Sequence, residues 1–215
     1  MNRIIKIISI LIALAIIIAV ALSIKNQSHL ENSKEEITGL KEQVLGKGDL
    51  EIIVYEDLSD FYSFQYNETL KLIREKYSDQ LRIVFKPYAN KMFKMSYPVH
   101  SFVACASEQG KFFSARDLIF SKLETDSLDL NDFLAYGQEL ELDNDSLNLC
   151  LKEERYLNEI EKLFKEALDS GIYGSPSTIV GDEIVLGARS FEDSVNSNGE
   201  NLPGLKSIIE RHLSN

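Results

Sequence analysis

Cysteine is scarce in this sequence, since Cys105 and Cys150 are the only two cysteines among 215 residues. Their separation of 45 residues excludes a Cys-x-x-Cys redox motif, in which only two residues lie between the thiols. The three histidines are scattered and do not obviously supply the further ligands that a zinc site needs. The sequence therefore predicts no metal site and no small-molecule cofactor.

Basic charge is also in short supply. The 23 Lys and Arg residues are outnumbered by 34 Asp and Glu residues, so the formal net charge is −11. The first 25 residues carry three basic and no acidic side chains, so the remainder has a net charge of −11 minus 3, or −14. Nucleic-acid binding normally needs a basic face that neutralises phosphates, so no nucleic-acid partner is expected. A solvated acidic surface that aids solubility accounts for the charge.

Only one long apolar run is present, and it covers 18 uncharged residues from Ile7 to Ile24. At about 1.5 Å per residue, a helix of this length just covers a hydrocarbon core of about 30 Å. We favour a single-pass membrane anchor within residues 1–25. The competing interpretation is a secretory signal peptide, cleaved near Ala21, where small residues resemble a cleavage site. Both interpretations place the rest of the chain on the extracytoplasmic side.

Residues 26–48 are mostly polar. Their apolar positions recur near the spacing of one helical face, at Leu30, Ile37, Leu40 and Val44. This pattern predicts a juxtamembrane linker that contains a short amphipathic helix or stalk. Because the apolar positions are few, docking of this stripe on its own domain is favoured over recognition of a partner.

Residues 49–215 have the pattern of an α/β domain. An apolar run that ends at Tyr55 is typical of a strand covered on both faces. Helical periodicity fills about residues 97–170. The predicted elements are a strand at Glu51 to Tyr55, a helix at about Asp60 to Tyr77, a strand at Leu81 to Lys86, the helical block, a hairpin that turns at Gly181 and Asp182, and a helix at Leu205 to Leu213. The predicted order is therefore βαβ, a helical block, then ββα.

Several segments of the sequence resemble a known family, among them Leu81 to Lys86, LRIVFK, which is similar to its second strand. Tyr55 to Ser63, YEDLSDFYS, is similar to the strand-to-helix junction of DsbA-like thioredoxin-fold proteins. Ala104 to Phe120 is similar to a helical segment of that family, and Gly174 to Glu192 resembles its Gly-x-Pro-Thr loop and closing hairpin. The likeness spans about residues 46–213. It implies a thioredoxin fold with a helical insertion at about 97–170, in a family of thiol-disulfide oxidoreductases.

The resemblance places Asp60 and Ser63 where the family carries its two active-site cysteines. A shifted register would pair Ser63 and Tyr66 with those cysteines, and either register leaves no thiol. Disulfide exchange needs a thiolate to attack and a second thiol to resolve the intermediate, and a carboxylate and a hydroxyl supply neither. No catalytic residue is therefore predicted. Asp60 stands at the predicted start of a helix, so it is expected to be the helix N-cap. A role as a catalytic acid is not favoured, because no histidine or second base is evident nearby.

The resemblance also implies a peptide-binding loop. Ser175 and Pro176 match a loop whose proline is cis in thioredoxin-like proteins and which offers backbone groups to an extended peptide. Phe61 and Tyr62 lie at the first turn of the predicted helix, where exposed aromatic side chains would contact such a peptide.

Cys105 and Cys150 fall where members of the family often carry a structural pair, so a disulfide is favoured over two buried free thiols. Three functions remain open. The main hypothesis is a membrane-tethered, redox-inactive protein that binds an extended peptide or envelope protein client as a chaperone-like module. The alternative is a protein disulfide oxidoreductase or isomerase that acts through Cys105 and Cys150 or through a partner enzyme. The third is a purely structural component of an envelope complex.

Overall fold

The computed structural model describes residues 43–214. Five of its strands form a mixed sheet, which we expect to have the usual twist. The strands are β1 (Gln43–Gly46), β2 (Leu50–Glu56), β3 (Leu81–Pro87), β4 (Ser177–Val180), β5 (Glu183–Leu186), β6 (Ser194–Val195) and β7 (Asn201–Leu202). The first five lie in the order β1-β3-β2-β4-β5, and β6 and β7 form a separate ribbon. Strands β2 and β3 are parallel, whereas the other neighbouring pairs of the large sheet are antiparallel.

Helices flank the sheet and fill the segment between β3 and β4. They are α1 (Phe61–Tyr77), α2 (Ser96–Ser107), α3 (Phe112–Glu124), α4 (Phe133–Glu139), α5 (Asn144–Lys152), α6 (Leu157–Asp169) and α7 (Leu205–Leu213), with a 3-10 turn at Leu130–Asp132. The predicted order of βαβ, helical block and ββα is confirmed. The hairpin predicted around Gly181 is confirmed as the β4–β5 pair.

Strand β2 lies between two apolar cores because successive side chains of a strand point to opposite faces. Ile52 and Val54 pack in one cluster with Leu70 of α1 and with apolar residues of α7. Tyr55 belongs to a cluster on the other face, which includes Ala167 of α6. Full burial of one such side chain contributes about 1.5–3 kcal/mol. The two cores fix the end of β2, and the chain after it, at one edge of the sheet.

The insertion has a core of its own. Phe102 of α2 stacks on Phe133 of α4 with 4.8 Å between ring centroids. Cys105 of α2 and Cys150 of α5 form a disulfide whose Cα atoms lie 5.9 Å apart. The predicted disulfide is therefore present, and both cysteines are buried.

The start of the domain differs from the sequence prediction. Residues 26–48 were expected to be a linker or amphipathic helix, but Gln43–Gly46 is a strand that pairs antiparallel with β3. Val44, one of the four residues of the predicted stripe, lies opposite Val84. Local periodicity does not reveal this pairing, because the partner strand is distant in sequence. The folded domain therefore includes residues 43–48.

The predicted membrane segment at Ile7 to Ile24 and the rest of the predicted stripe lie outside the described residues. Between residues 43 and 214, no helix combines the length and apolar character needed to cross a bilayer.

Candidate functional site

Asp60 caps helix α1 after a short turn that follows the end of β2 at Glu56. Its backbone is extended, with φ −97° and ψ 129°. Its carboxylate accepts hydrogen bonds from the N–H groups of Tyr62 at 3.1 Å and Ser63 at 3.2 Å. These N–H groups have no partner within the helix, and the helix dipole favours negative charge at this end. The predicted N-cap role is confirmed, and such a cap stabilises a helix by about 1 kcal/mol.

Asp60 also joins the two serines that the sequence places at the site. Ser63 Oγ donates to Asp60 Oδ2 at 3.2 Å, and Ser175 Oγ donates to the same oxygen at 3.3 Å. Ser63 Oγ in turn accepts a hydrogen bond from the Asp57 N–H at 3.2 Å. The peptide bond between Ser175 and Pro176 is cis. The start of α1 and the cis-proline loop are therefore joined by a carboxylate and hydroxyl groups.

A buried ion pair lies at the end of β2. Arg116 of α3 donates two hydrogen bonds to the Glu56 carboxylate, at 2.6 and 2.7 Å. It donates a third to Asn67 Oδ1 at 2.9 Å. The guanidinium carbon also lies 4.8 Å from the ring centroid of Phe85 and 4.6 Å from that of Phe120. The two buried charges are therefore paired with each other. Such pairing offsets the hydration free energy that each charged group loses on burial.

Asp57, the next residue, has different partners. Its Oδ1 accepts hydrogen bonds from the Ser59 N–H at 2.9 Å and the Ser59 hydroxyl at 2.8 Å. The same oxygen lies 3.6 Å from His100 Nε2, and that nitrogen accepts a hydrogen bond from the Leu58 N–H at 3.2 Å. Burial raises the pKa of Asp57, but the interactions with His100 and Ser59 outweigh it and hold the pKa below its usual range.

An open groove of about 710 Å³ borders the start of α1 and the loop before Pro176. We call it the aromatic groove. Its lining residues are Asp57, Ser59, Asp60, Phe61, Tyr62, Tyr88, Asn90, Met92, Phe93, Lys94, Met95, Tyr173, Gly174 and Ser175.

The aromatic groove concentrates exposed apolar side chains. Phe61 is 54% exposed, Tyr62 62%, Phe93 61%, Tyr173 73% and Met92 87%. Across residues 43–214, every exposed phenylalanine, tyrosine and methionine lines this groove. Single exposed apolar residues are common on protein surfaces, whereas contiguous groups of them mark interaction sites.

The structure brings together most of the residues that the sequence assigns to the site. Phe61, Tyr62 and Ser175 line the aromatic groove, and Pro176 is buried. Met92, Phe93 and Tyr173 also line the groove but were not assigned to the site from the sequence. Met92 and Phe93 lie in a short segment that mixes apolar and basic residues and has no helical or strand periodicity. This composition is the one sequence signal that points to them. Tyr173 has no such signal.

Neither cysteine lines the aromatic groove, and both sulfurs are bonded to each other. In the part of the chain that the structure describes, no group of three or more His, Cys, Asp or Glu side chains is arranged to hold a metal ion. The chemistry available at the groove is therefore that of the Asp57 and Asp60 carboxylates, the Lys94 ammonium group, several hydroxyls and aromatic rings. These groups can bind a ligand, but they include no thiolate.

A thioredoxin family model matches residues 42–196, which is most of the chain. The chain therefore belongs to this thioredoxin family. A search of curated proteins finds no match to the sequence.

Solved structures with the same fold include DsbA-like proteins. A thioredoxin-like oxidoreductase from Silicibacter pomeroyi DSS-3 has a TM-score of 0.62 at 18% identity, over 81% of this chain and 93% of that chain. The thiol-disulfide exchange protein alpha-DsbA2 from Wolbachia pipientis has a TM-score of 0.57 at 18% identity, over 78% and 91%. A periplasmic thioredoxin-like protein from Salmonella enterica serovar Typhimurium has a TM-score of 0.57 at 18% identity, over 83% and 94%. The resemblance to DsbA-like thioredoxin-fold proteins is confirmed.

Proposed function

We propose that this protein is a redox-inactive DsbA-like module that binds extended polypeptide segments in the aromatic groove. The observation that carries the proposal is the composition of the groove. Exposed aromatic side chains surround the start of α1, where the resemblance aligns Asp60 and Ser63 with the cysteine pair of the family. A client held there keeps its disulfides unchanged, because exchange needs a thiolate.

The exposed rings support a binding function. Phe61 and Tyr62 project from the first turn of α1, Phe93 comes from the loop after β3, and Tyr173 precedes the cis-proline loop. Three separate segments thus contribute rings to one groove. Tyrosine and other large aromatic side chains dominate the energetics of protein interfaces, since they bury much area and lose little conformational freedom.

The loop at Gly174 and Ser175 supports recognition of an extended backbone. Both residues line the groove, and the loop leads directly into strand β4. Backbone groups in such a loop can pair with an extended peptide, which supplies affinity without dependence on sequence, while neighbouring pockets select the side chains.

We assign Cys105 and Cys150 a structural role. Exchange begins with attack by an accessible thiolate, and these two side chains are buried and joined to each other. The disulfide also supports an oxidising location for the domain. Together with the apolar run at Ile7 to Ile24, it is the basis for placing the domain on the extracytoplasmic side of a membrane, tethered by residues 1–25.

The proposal is tested by peptide binding to the full chain reconstituted in nanodiscs. Short fluorescein-labelled peptides rich in aromatic and aliphatic residues are titrated, and fluorescence polarisation is measured. Phe61→Ala combined with Tyr62→Ala is expected to weaken binding at least about tenfold, because the loss of two contact rings removes more than 1.4 kcal/mol.

The matched control is Leu72→Ala, which truncates an exposed apolar side chain of α1 that does not line the groove. It is expected to leave the affinity unchanged. Equal affinity of the parent, the groove variant and the control would show that the peptides bind elsewhere, and the absence of any binding would refute the proposed function.

A further inference from the structure

The aromatic groove has an uneven charge distribution. Its lining includes the carboxylates of Asp57 and Asp60 and a single cationic side chain, that of Lys94. Asp57 is almost completely buried, at 2% exposure, so its charge is poorly screened by water. The groove therefore combines two carboxylates and one cation with its aromatic side chains.

The Asp60 carboxylate retains capacity for one further hydrogen bond. Each carboxylate oxygen has two lone pairs, so the three donors around Oδ2 share them in long hydrogen bonds. These donors are the Ser63 N–H at 3.2 Å, the Ser63 hydroxyl at 3.2 Å and the Ser175 hydroxyl at 3.3 Å. Oδ1 accepts only from the Tyr62 N–H among the hydrogen bonds that the structure gives it. The remaining position on Oδ1 suits one donor from a ligand.

The aromatic side chains of the groove favour a cationic hydrogen-bond donor over a neutral one. The faces of tyrosine and phenylalanine rings attract ammonium and guanidinium groups, by about 0.5–1 kcal/mol at exposed sites and about 2 kcal/mol when water is excluded. Phe61 and Tyr62 directly follow Asp60 in the sequence and line the same groove. A guanidinium group can stack on such a ring while one of its N–H groups reaches a carboxylate.

We propose that the aromatic groove selects extended polypeptide segments that place an arginine or lysine side chain on Asp60, with aromatic or aliphatic residues beside it. This inference rests on the proposed function and adds the chemical class of the client. Charge complementarity carries it, since the residues after the first 25 have a net charge of −11 minus 3, or −14, which attracts a basic segment and repels a second acidic copy of the chain.

The test compares peptides that are identical except at one central position, which holds arginine, glutamine or glutamate. They are titrated onto the full chain in nanodiscs of uncharged lipid, so that basic peptides do not bind the bilayer. The arginine peptide is expected to bind about tenfold more tightly than the glutamine peptide in about 50 mM salt, and the gap is expected to narrow in about 500 mM salt. The glutamate peptide is expected to bind most weakly.

Two variants locate the effect. Asp60→Asn keeps an N-cap side chain of the same shape and removes the charge, so it is expected to remove most of the gap between the arginine and glutamine peptides. Asp79→Asn makes the same charge change beyond the other end of α1 and is expected to preserve the gap.

Equal affinity for the arginine and glutamine peptides overturns the selection of basic clients and leaves the proposed function standing. A gap that survives Asp60→Asn, or that shrinks equally in Asp79→Asn, also overturns it, because the preference would then come from net charge alone. If none of the peptides binds, the proposed function fails and this inference fails with it.

Discussion

The buried pair of Glu56 and Arg116 provides the strongest test of how the site is held in place. Arg116 donates two hydrogen bonds to the Glu56 carboxylate and is only 3% exposed, so water cannot replace the carboxylate when it is removed. Each charge-assisted hydrogen bond contributes about 1.5–3 kcal/mol. Glu56→Leu alone is therefore expected to lower the free energy of unfolding by about 3–5 kcal/mol. Arg116→Met alone should cost a similar amount.

The double variant, with Glu56→Leu and Arg116→Met together, is expected to lose at least about 2 kcal/mol less than the sum of the two single losses, since it leaves no unpaired charge. Urea unfolding measures these values. With a urea slope of about 1–3 kcal/mol/M, each single change should lower the midpoint by more than about 1 M.

The matched control is Arg211→Met, which breaks the exposed pair with Glu183 and should cost at most about 1 kcal/mol. If Glu56→Leu and Arg116→Met each lower the free energy of unfolding as little as the control does, the reasoning is refuted. Strictly additive losses would refute it as well, because they would mean that the two charges do not depend on each other.

Three further predictions concern other parts of the site and fold. Cys105→Ala with Cys150→Ala removes a cross-link between residues 45 positions apart and should cost about 4 kcal/mol in urea unfolding, and an unchanged midpoint would contradict this. Asp57 has a pKa below its ordinary value of 3.8, so it stabilises the fold above that pH and loses this contribution as the pH falls through its folded pKa. In Asp57→Asn, the free energy of unfolding should therefore fall less steeply as the pH is lowered below about 4. A decrease as steep as that of the parent would contradict this role of Asp57. Asp60→Cys with Ser63→Cys should create insulin-reduction activity above that of the parent, and no gain would mean that these positions do not match the cysteines of the family.

Local patterns predicted those parts of the fold that local physics determines. The N-cap at Asp60, the hairpin turn at Gly181 and the apolar strand that ends after Tyr55 each depend on a few consecutive residues. The strand at Gln43–Gly46 does not, because its partner is β3 and its few apolar residues also fit a helical face. Tertiary pairing decided between the two patterns.

The site was predictable only where its residues share a segment with the family motif. Phe61 and Tyr62 adjoin Asp60 in sequence, so the motif identified them. Phe93 and Tyr173 reach the same groove from separate loops, and their proximity arises from the fold alone. Arg116 was likewise not expected to pair with Glu56, because the contact joins α3 to the end of β2.

The most direct test of the central claim is the disulfide state of a bound client. A peptide that contains one disulfide and binds the groove is incubated with the full chain and reduced glutathione, which supplies the electrons for reduction. The peptide is then alkylated at its free thiols, recovered and weighed by mass spectrometry. The expected result is that the peptide disulfide is reduced no faster with the protein than without it. Reduction that is faster with the protein than with reduced glutathione alone, and that loses this acceleration in the variant with Cys105→Ala and Cys150→Ala, would contradict a redox-inactive function.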